Sequence, residues 1–483
     1  MKRIIAWALC LLIAGSAALA ETYVVNLYGS EEREGCALLI TEDGELLTPL
    51  DTYASIYELT PKGTPEAQRR FCAQTLKVDV DLSKTSLEML PMDAYYRLAL
   101  MDATGKLLTG FDYWNMEWAG GSIRFNVPGQ DSANTGIMDL DGHIIIEPVY
   151  HAIETLDGGR WLALAEDKKS KAYRFSIFIV DENGNVTDTG LHTSIDILPQ
   201  CDGEFCPVYH VEEYESHTVY LNRDGEVCFG RTFDSAEPFM GDCAVVEIDE
   251  KNGLINREGQ MVVEPVYSYL YHLGDAPGDV YASDSDGLLV VFDAATGAEL
   301  FRKKFENVDY LNVCMIAPEL LWVYCGNHCE CYRTDGTLVA SFPDDENNSV
   351  QYARCSPDAL RFIESVNPWP ESKTHLIDEQ GRQIGGDYRG MIDYGVFDGH
   401  PLFSCYTYHI STNRDGEKVA DWHSWRYGVL DENGNELLKP EYLNEVQILS
   451  PNRFWVTAND RSGLIDASGK WYYAISDYDS LMD

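Results

Sequence analysis

Along most of this chain short apolar runs alternate with tight polar corners, and the corners share one form. A turn ending in glycine recurs at Gly44 (TEDGEL), Gly105 (DATGKL), Gly142 (DLDGHI), Gly184 (DENGNV), Gly225 (NRDGEV) and Gly259 (NREGQM). It continues at Gly297 (AATGAEL), Gly336 (RTDGTL), Gly381 (DEQGRQ), Gly434 (DENGNE) and Gly469 (DASGKW). The ten intervals are 61, 37, 42, 41, 34, 38, 39, 45, 53 and 35 residues, 42.5 on average, which is the size of a supersecondary unit. Asp or Asn commonly opens the corner, where its side chain can bond the backbone ahead, and glycine takes the positive-φ position. Two apolar residues precede most corners, as in Ile137-Met138, Leu254-Ile255, Val429-Leu430 and Leu464-Ile465. A strand covered on one side would alternate, so these strands are predicted to be covered on both faces. After the corner comes an apolar strand, often with Pro and then Tyr (Pro148/Tyr150, Pro265/Tyr267, Pro440/Tyr442). Each unit therefore predicts a β-hairpin across the corner, preceded by another strand such as Trp161–Ala165 or Ala244–Ile248.

In four units a further glycine stands six residues before the corner: Gly136, Gly253, Gly428 and Gly463. The stretches GIMDLDGHIIIEPVYHAI, GLINREGQMVVEPVYSYL and YGVLDENGNELLKPEYLNEV resemble the WG-repeat proteins of bacteria. Units of that family read roughly W-G-[YFL]-[IV]-D-x-x-G-K-x-x-x-P-x-Y. The resemblance is clear in units three, six, ten and eleven, fainter in the rest, and covers most of residues 36–475. The family's Trp is replaced by Thr135, Asn252, Tyr427 and Ser462, and no Trp-Gly pair occurs. Unit seven (LLVVFDAATGAELF) looks more like a blade of a quinone-type β-propeller. The resemblance implies an architecture and assigns no catalytic residues.

The expected fold is all-β: tandem antiparallel repeats of about 42 residues, β-propeller-like, because hairpins with two apolar faces must stack on one another. Eleven units exceed the roughly 4–8 blades of one ring, which allows two rings; the alternative is an open curved stack of hairpins. The Gly274–Gly287 stretch is the candidate seam, giving β-repeat regions 21–275 and 276–483. Three stretches break the rhythm. Residues 64–76 (TPEAQRRFCAQTL) read as a short amphipathic helix, and 343–372 and 398–426 read as insertions. Insertions in repeat proteins map to loops, often on the functional face. Trp369, Tyr406, Tyr408, Trp422 and Trp425 fall in them and are the candidate binding residues, able to stack on a sugar ring or anchor a protein.

With 36 Lys+Arg against 79 Asp+Glu the formal charge is −43, which disfavours nucleic acid and anionic membrane surfaces as partners. The same charge would keep the chain soluble and monomeric. Lys2 and Arg3, the apolar run Ile4–Ile13 and Ala18-Leu19-Ala20 have the order of a cleavable export signal, with cleavage expected after Ala20 and a secreted product that is not inserted in a membrane. Twelve of the 13 cysteines lie after that point. The spacing of Cys201 and Cys206 suits a short loop bridge, while most others read equally as small buried hydrophobes. Cys325, His328, Cys329 and Cys331 form the tightest metal-like cluster, for which a disulfide or buried thiols rank ahead of a metal.

No nucleophile elbow, zinc-protease helix, phosphate loop or dinucleotide glycine pattern is present. Carboxylate pairs such as Glu247/Asp249 or Asp202/Glu204 are expected by chance in so acidic a chain. The expectation is thus an exported, non-catalytic repeat protein that needs no cofactor and binds a protein or cell-surface polymer. The competing class is a propeller-type enzyme acting on glycans through a carboxylate pair.

Overall fold

The computed structural model describes residues 20–27, 36–50, 52–76, 96–128, 134–170, 173–212, 215–274, 279–306, 308, 311–345, 347–353, 360–397, 399–459 and 461–476. The expected export signal at 1–20 lies outside them except for Ala20. Among the described residues no helix is long and apolar enough to cross a membrane. Helical structure there is confined to two 3-10 turns, Glu66–Gln68 and Trp422–Ser424.

The fold is all-β and built of antiparallel blades of the β-propeller type. Two compact units are distinguished: residues up to Val149 together with those from Trp471 onward, and Tyr150–Lys470. Between Asn115 and Tyr442 seven sheets have four strands each. Eight of the eleven expected corners join the last two strands of a four-stranded sheet, those at Gly44, Gly105 and Gly225 close on isolated bridges (Ile40 with Leu46, Met101 with Leu107, Leu221 with Val227), and all eleven corner glycines have φ between +69° and +86°. The corner at Gly259 shows the chemistry. Gly259 N donates to the Asn256 carbonyl at 2.9 Å, while Asn256 Oδ1 accepts from the Glu258 and Gln260 amides at 3.2 and 2.8 Å. Glycine at the left-handed position then lets the returning strand pair with a one-residue bulge.

The glycine six residues earlier has a separate role. A Cβ on Gly253 would lie 2.5 Å from the Val263 carbonyl oxygen and 2.9 Å from Pro265 N; on Gly428 the same distances to Leu438 O and Pro440 N are 2.5 and 2.7 Å. The proline-bearing strand bulges onto bare backbone here, which explains why Gly and Pro recur together.

The double apolar residues do cover both faces. In the strand Leu320–Tyr324, Leu321 and Val323 pack with Leu289 and Val291 of the preceding sheet, whereas Leu320 and Trp322 pack with Val350, Phe362 and Ile377 of the following one. The same relation joins Phe362 to its predecessor and Ile363 and Leu376 to Phe403, Cys405 and Leu430 beyond. Neither face of these hairpins meets water, so no single repeat could shelter its core alone.

Four expectations are corrected. Residues 64–76 do not form a helix. After the 3-10 turn, Arg70–Leu76 is a strand pairing with Ser55–Glu58 and Tyr96–Asp102, because Phe71, Cys72 and Ala73 are buried consecutively on both of its faces. Residues 343–372 are not all insertion, since Asn348–Tyr352 and Phe362–Val366 within them are the first two strands of a four-stranded sheet. Within 398–426, His400–Thr407 is also a blade strand, and the true insertion is 408–425. The Gly274–Gly287 stretch lies inside the second unit, where Tyr281–Ser285 is the second strand of its sheet.

Candidate binding face

The insertion 408–425 leaves and rejoins its blade at paired strand ends, with Thr407 opposite Arg426. It forms its own small hairpin, Ile410–Thr412 against Lys418–Ala420. The tip repeats the corner chemistry: Asn413 Oδ1 accepts from the Asp415 and Glu417 amides at 3.0 and 2.9 Å, and Gly416 has φ +85°. Below it, Asp421 N donates to the His409 carbonyl at 2.8 Å, and Ser424 Oγ bonds both the Asp421 carbonyl (2.7 Å) and the His409 amide (2.8 Å). Asp421 caps the 3-10 turn Trp422–Ser424 through the His423 amide at 3.1 Å. These bonds fix where Trp422 and Trp425 point.

The structure brings all five expected residues together. Trp425 folds back onto the blade, with ring centroids 4.8 Å from Tyr406, 5.0 Å from Tyr408 and 5.1 Å from Trp422, at interplanar angles of 13°, 21° and 11°. Trp422 in turn lies 6.4 Å from Trp369, tilted by 33°. The inner end of this stack is buried. Tyr408 is 4% exposed, donates its hydroxyl to the Pro370 carbonyl at 3.0 Å and carries the Arg389 guanidinium 5.6 Å over its ring. Burial beside Tyr408 pushes the Tyr406 phenol above its ordinary value. Gly390 makes room for that ring, because a Cβ there would sit 2.1 Å from the Tyr406 Cζ. The outer end is open: Trp369 is 57% and Trp422 66% exposed. The loop bearing Trp369 is held by reciprocal bonds between Ser372 and Arg389 and by the Lys418–Glu371 ion pair. The result is an apolar platform of two exposed indoles on a half-buried to buried aromatic base.

The sequence pattern of the WG-containing repeat matches residues 136–168 and 253–274, the third and sixth corners with their flanking strands. The chain carries WG-type repeats in these two stretches. No curated protein sequence matches it. Among solved structures, a eukaryotic initiation factor is similar at 9% identity and TM-score 0.40, covering 78% of this chain and 93% of that one. AztD from Citrobacter koseri is similar at 11% identity and TM-score 0.30 (67% and 95% covered), and BamB from Moraxella catarrhalis at 11% and 0.26 (66% and 94%).

The blades place the cysteine cluster differently from its sequence order. Alternation along His328–Arg333 sends Cys329 and Cys331 into the core shared with the following sheet, while Cys325 belongs to the core shared with the preceding one. The four expected ligands therefore do not converge. The group that does is Cys325, His328 and Glu330, whose ligand atoms lie within 4.8 Å of one another. Glu330, which the sequence reading missed, already accepts the Lys303 ammonium at 2.8 Å and the Tyr332 hydroxyl, and burial pushes the Cys325 thiol up to about 12. These contacts hold the group as a satisfied polar cluster. Cys201 and Cys206 are joined by a disulfide. The corner at Gly416 was also missed, although Asn413–Glu417 repeats the pentapeptide NRDGE of Asn222–Glu226.

Proposed function

We propose that this protein is an exported, non-catalytic binding module, and that the platform of Trp369 and Trp422 on the Trp425–Tyr406–Tyr408 base takes a protein or a neutral cell-surface polymer. The observation that carries the reading is the pair of indoles held open to solvent by a built support. Such exposed aromatics contribute nothing to the core and carry a large share of the contact energy where they meet a partner. Flat indole faces suit the C–H face of a sugar ring or an apolar side chain. The charge of −43 argues against a polyanion. Export rests on the sequence of residues 1–20 alone.

The test is retention on insoluble neutral polysaccharides (cellulose and chitin), together with photo-crosslinking to cell surfaces from a probe at position 422. The expected result is retention, or one crosslinked surface component, weakened at least about tenfold by combined Trp369→Ala and Trp422→Ala in a chain that still melts normally. Unchanged binding by the double variant overturns the platform. Release of soluble sugar by the wild-type chain would replace this reading with the glycan-acting enzyme.

A further inference from the structure

A second site lies elsewhere in the same unit, where three successive blades meet. A cavity of about 550 Å³ is lined by aromatic rings from two of them, Trp322 and Tyr324 on Leu320–Tyr324 and Tyr352 on Asn348–Tyr352. Asp344 enters from the end of the Leu338–Pro343 strand, and Asp393 from the strand Gly390–Phe397 of the third blade. Its volume is that of a small-molecule pocket. Trp322 and Tyr352 stand edge to face, 6.0 Å apart, and Tyr324 Oη is oriented by its 2.6 Å bond to the Gly326 carbonyl. No basic side chain is among the described residues that line the cavity. We propose that it binds a small organic cation carrying an alkylammonium group, with the rings packing against its alkyl face and Asp344 and Asp393 opposing its charge.

Three observations favour a cation over a neutral guest. Ring faces carry negative quadrupole charge and attract an ammonium placed over them. Burial, with Asp345 beside it, raises the Asp344 carboxyl above its ordinary value, a cost that a bound cation removes. The chain's net charge draws cations from solution and repels anions. The inference does not depend on the tryptophan platform, which shares none of these residues.

Calorimetric titration of the full chain with n-butylammonium, with tetramethylammonium and with uncharged neopentyl alcohol tests it. Saturable binding of an ammonium ion, and none of the alcohol, is expected. Asp344→Asn and Tyr352→Ala should each weaken binding about tenfold, and Tyr352→Phe should retain it within about threefold. Tyr352 is partly exposed, so its replacement leaves the core intact. Trp369→Ala with Trp422→Ala should change nothing here. Equal binding of the alcohol, indifference to Asp344→Asn, or calcium binding with no response to either ammonium would overturn the proposal.

Discussion

The sheet Ser235–Tyr267 and the sheet Gly390–Tyr442 are the same module used in two ways. Both carry an Asx-opened corner (Asn256/Gly259, Asp431/Gly434) and the bulge of a proline strand on a bare glycine, Gly253 under Pro265 and Gly428 under Pro440. Their registers correspond, Leu254 opposite Val263 in one and Val429 opposite Leu438 in the other. They differ at the tip between the second and third strands. In the first, Ile248 and Lys251 are joined by Asp249 and Glu250 alone, both at positive φ (52° and 61°), as a two-residue hairpin loop requires. In the second, the equivalent ends Thr407 and Arg426 stay paired while residues 408–425 are spliced between them. Stability resides in the corner, the bulge and the shared faces. The tip is free to vary, and the aromatic platform sits there.

That division can be broken most strongly at the corners. Gly259→Val places a β-branched residue at φ +75° with its Cβ 2.5 Å from Phe229, whereas Gly416→Val in the insertion meets the same φ problem with nothing within 4 Å. Backbone strain of roughly 1–3 kcal/mol applies to both, and overpacking adds about 1–3 kcal/mol to the first only. Denaturant unfolding should show Gly259→Val losing about 4 kcal/mol and Gly416→Val less than half of that; equal losses would dissolve the distinction between module and tip. Next in size, Trp425→Ala removes the centre of the stack and should cost about 2 kcal/mol, while Trp422→Ala should cost under about 0.5 kcal/mol. Near-UV circular dichroism should report loss of the coupled indole signal in both variants and in Gly390→Ala, which displaces Tyr406.

The smallest expected effect is one of pH, and it sharpens the comparison by adding the sheet Phe205–Asn222. His210 there is buried, with its Nδ1 3.1 Å from the His192 amide and 3.0 Å from the His192 carbonyl; burial holds it below its ordinary value of 6.5, outweighing the contact with His192 that favours the charged form. His217 stands edge-on at 5.4 Å and opposes its protonation further, while Glu212 favours it. Because the folded value is the lower one, the unfolded chain binds the proton first. The stability His210 confers is full above about pH 6.5 and falls as pH drops below it. Melting between pH 7 and 5 should fall more steeply for the wild type than for His210→Asn; parallel curves would show that His210 is not the titrating group.

The repeat was legible because its signals are local. A glycine at positive φ, an Asx side chain bonding ahead and doubled apolar residues each leave a mark on a few adjacent letters, and all eleven corners formed. The helix at 64–76 failed because the buried run Phe71-Cys72-Ala73 has no period that separates a strand covered on both sides from a helix. The bounds of the insertions failed for a related reason: His400–Thr407 reads as irregular until Arg426–Asp431 is placed beside it. The five aromatic residues could be named from composition, but their stacking depends on Gly390 and Ser424, which carry no sequence mark of that role. Glu330 entered the cysteine cluster only through strand alternation across a bend.

The register that keeps Thr407 opposite Arg426 supplies the most direct measurement. Replacing residues 408–425 with Asn-Gly converts this tip to the two-residue hairpin of its counterpart at Asp249-Glu250. Thermal unfolding of that variant should remain one cooperative transition within about 5 °C of the wild type, with retention on neutral polysaccharide or crosslinking at the surface abolished. A chain that no longer folds cooperatively, or that folds and binds as before, would contradict the claim that the module holds the fold and the tip makes the contact.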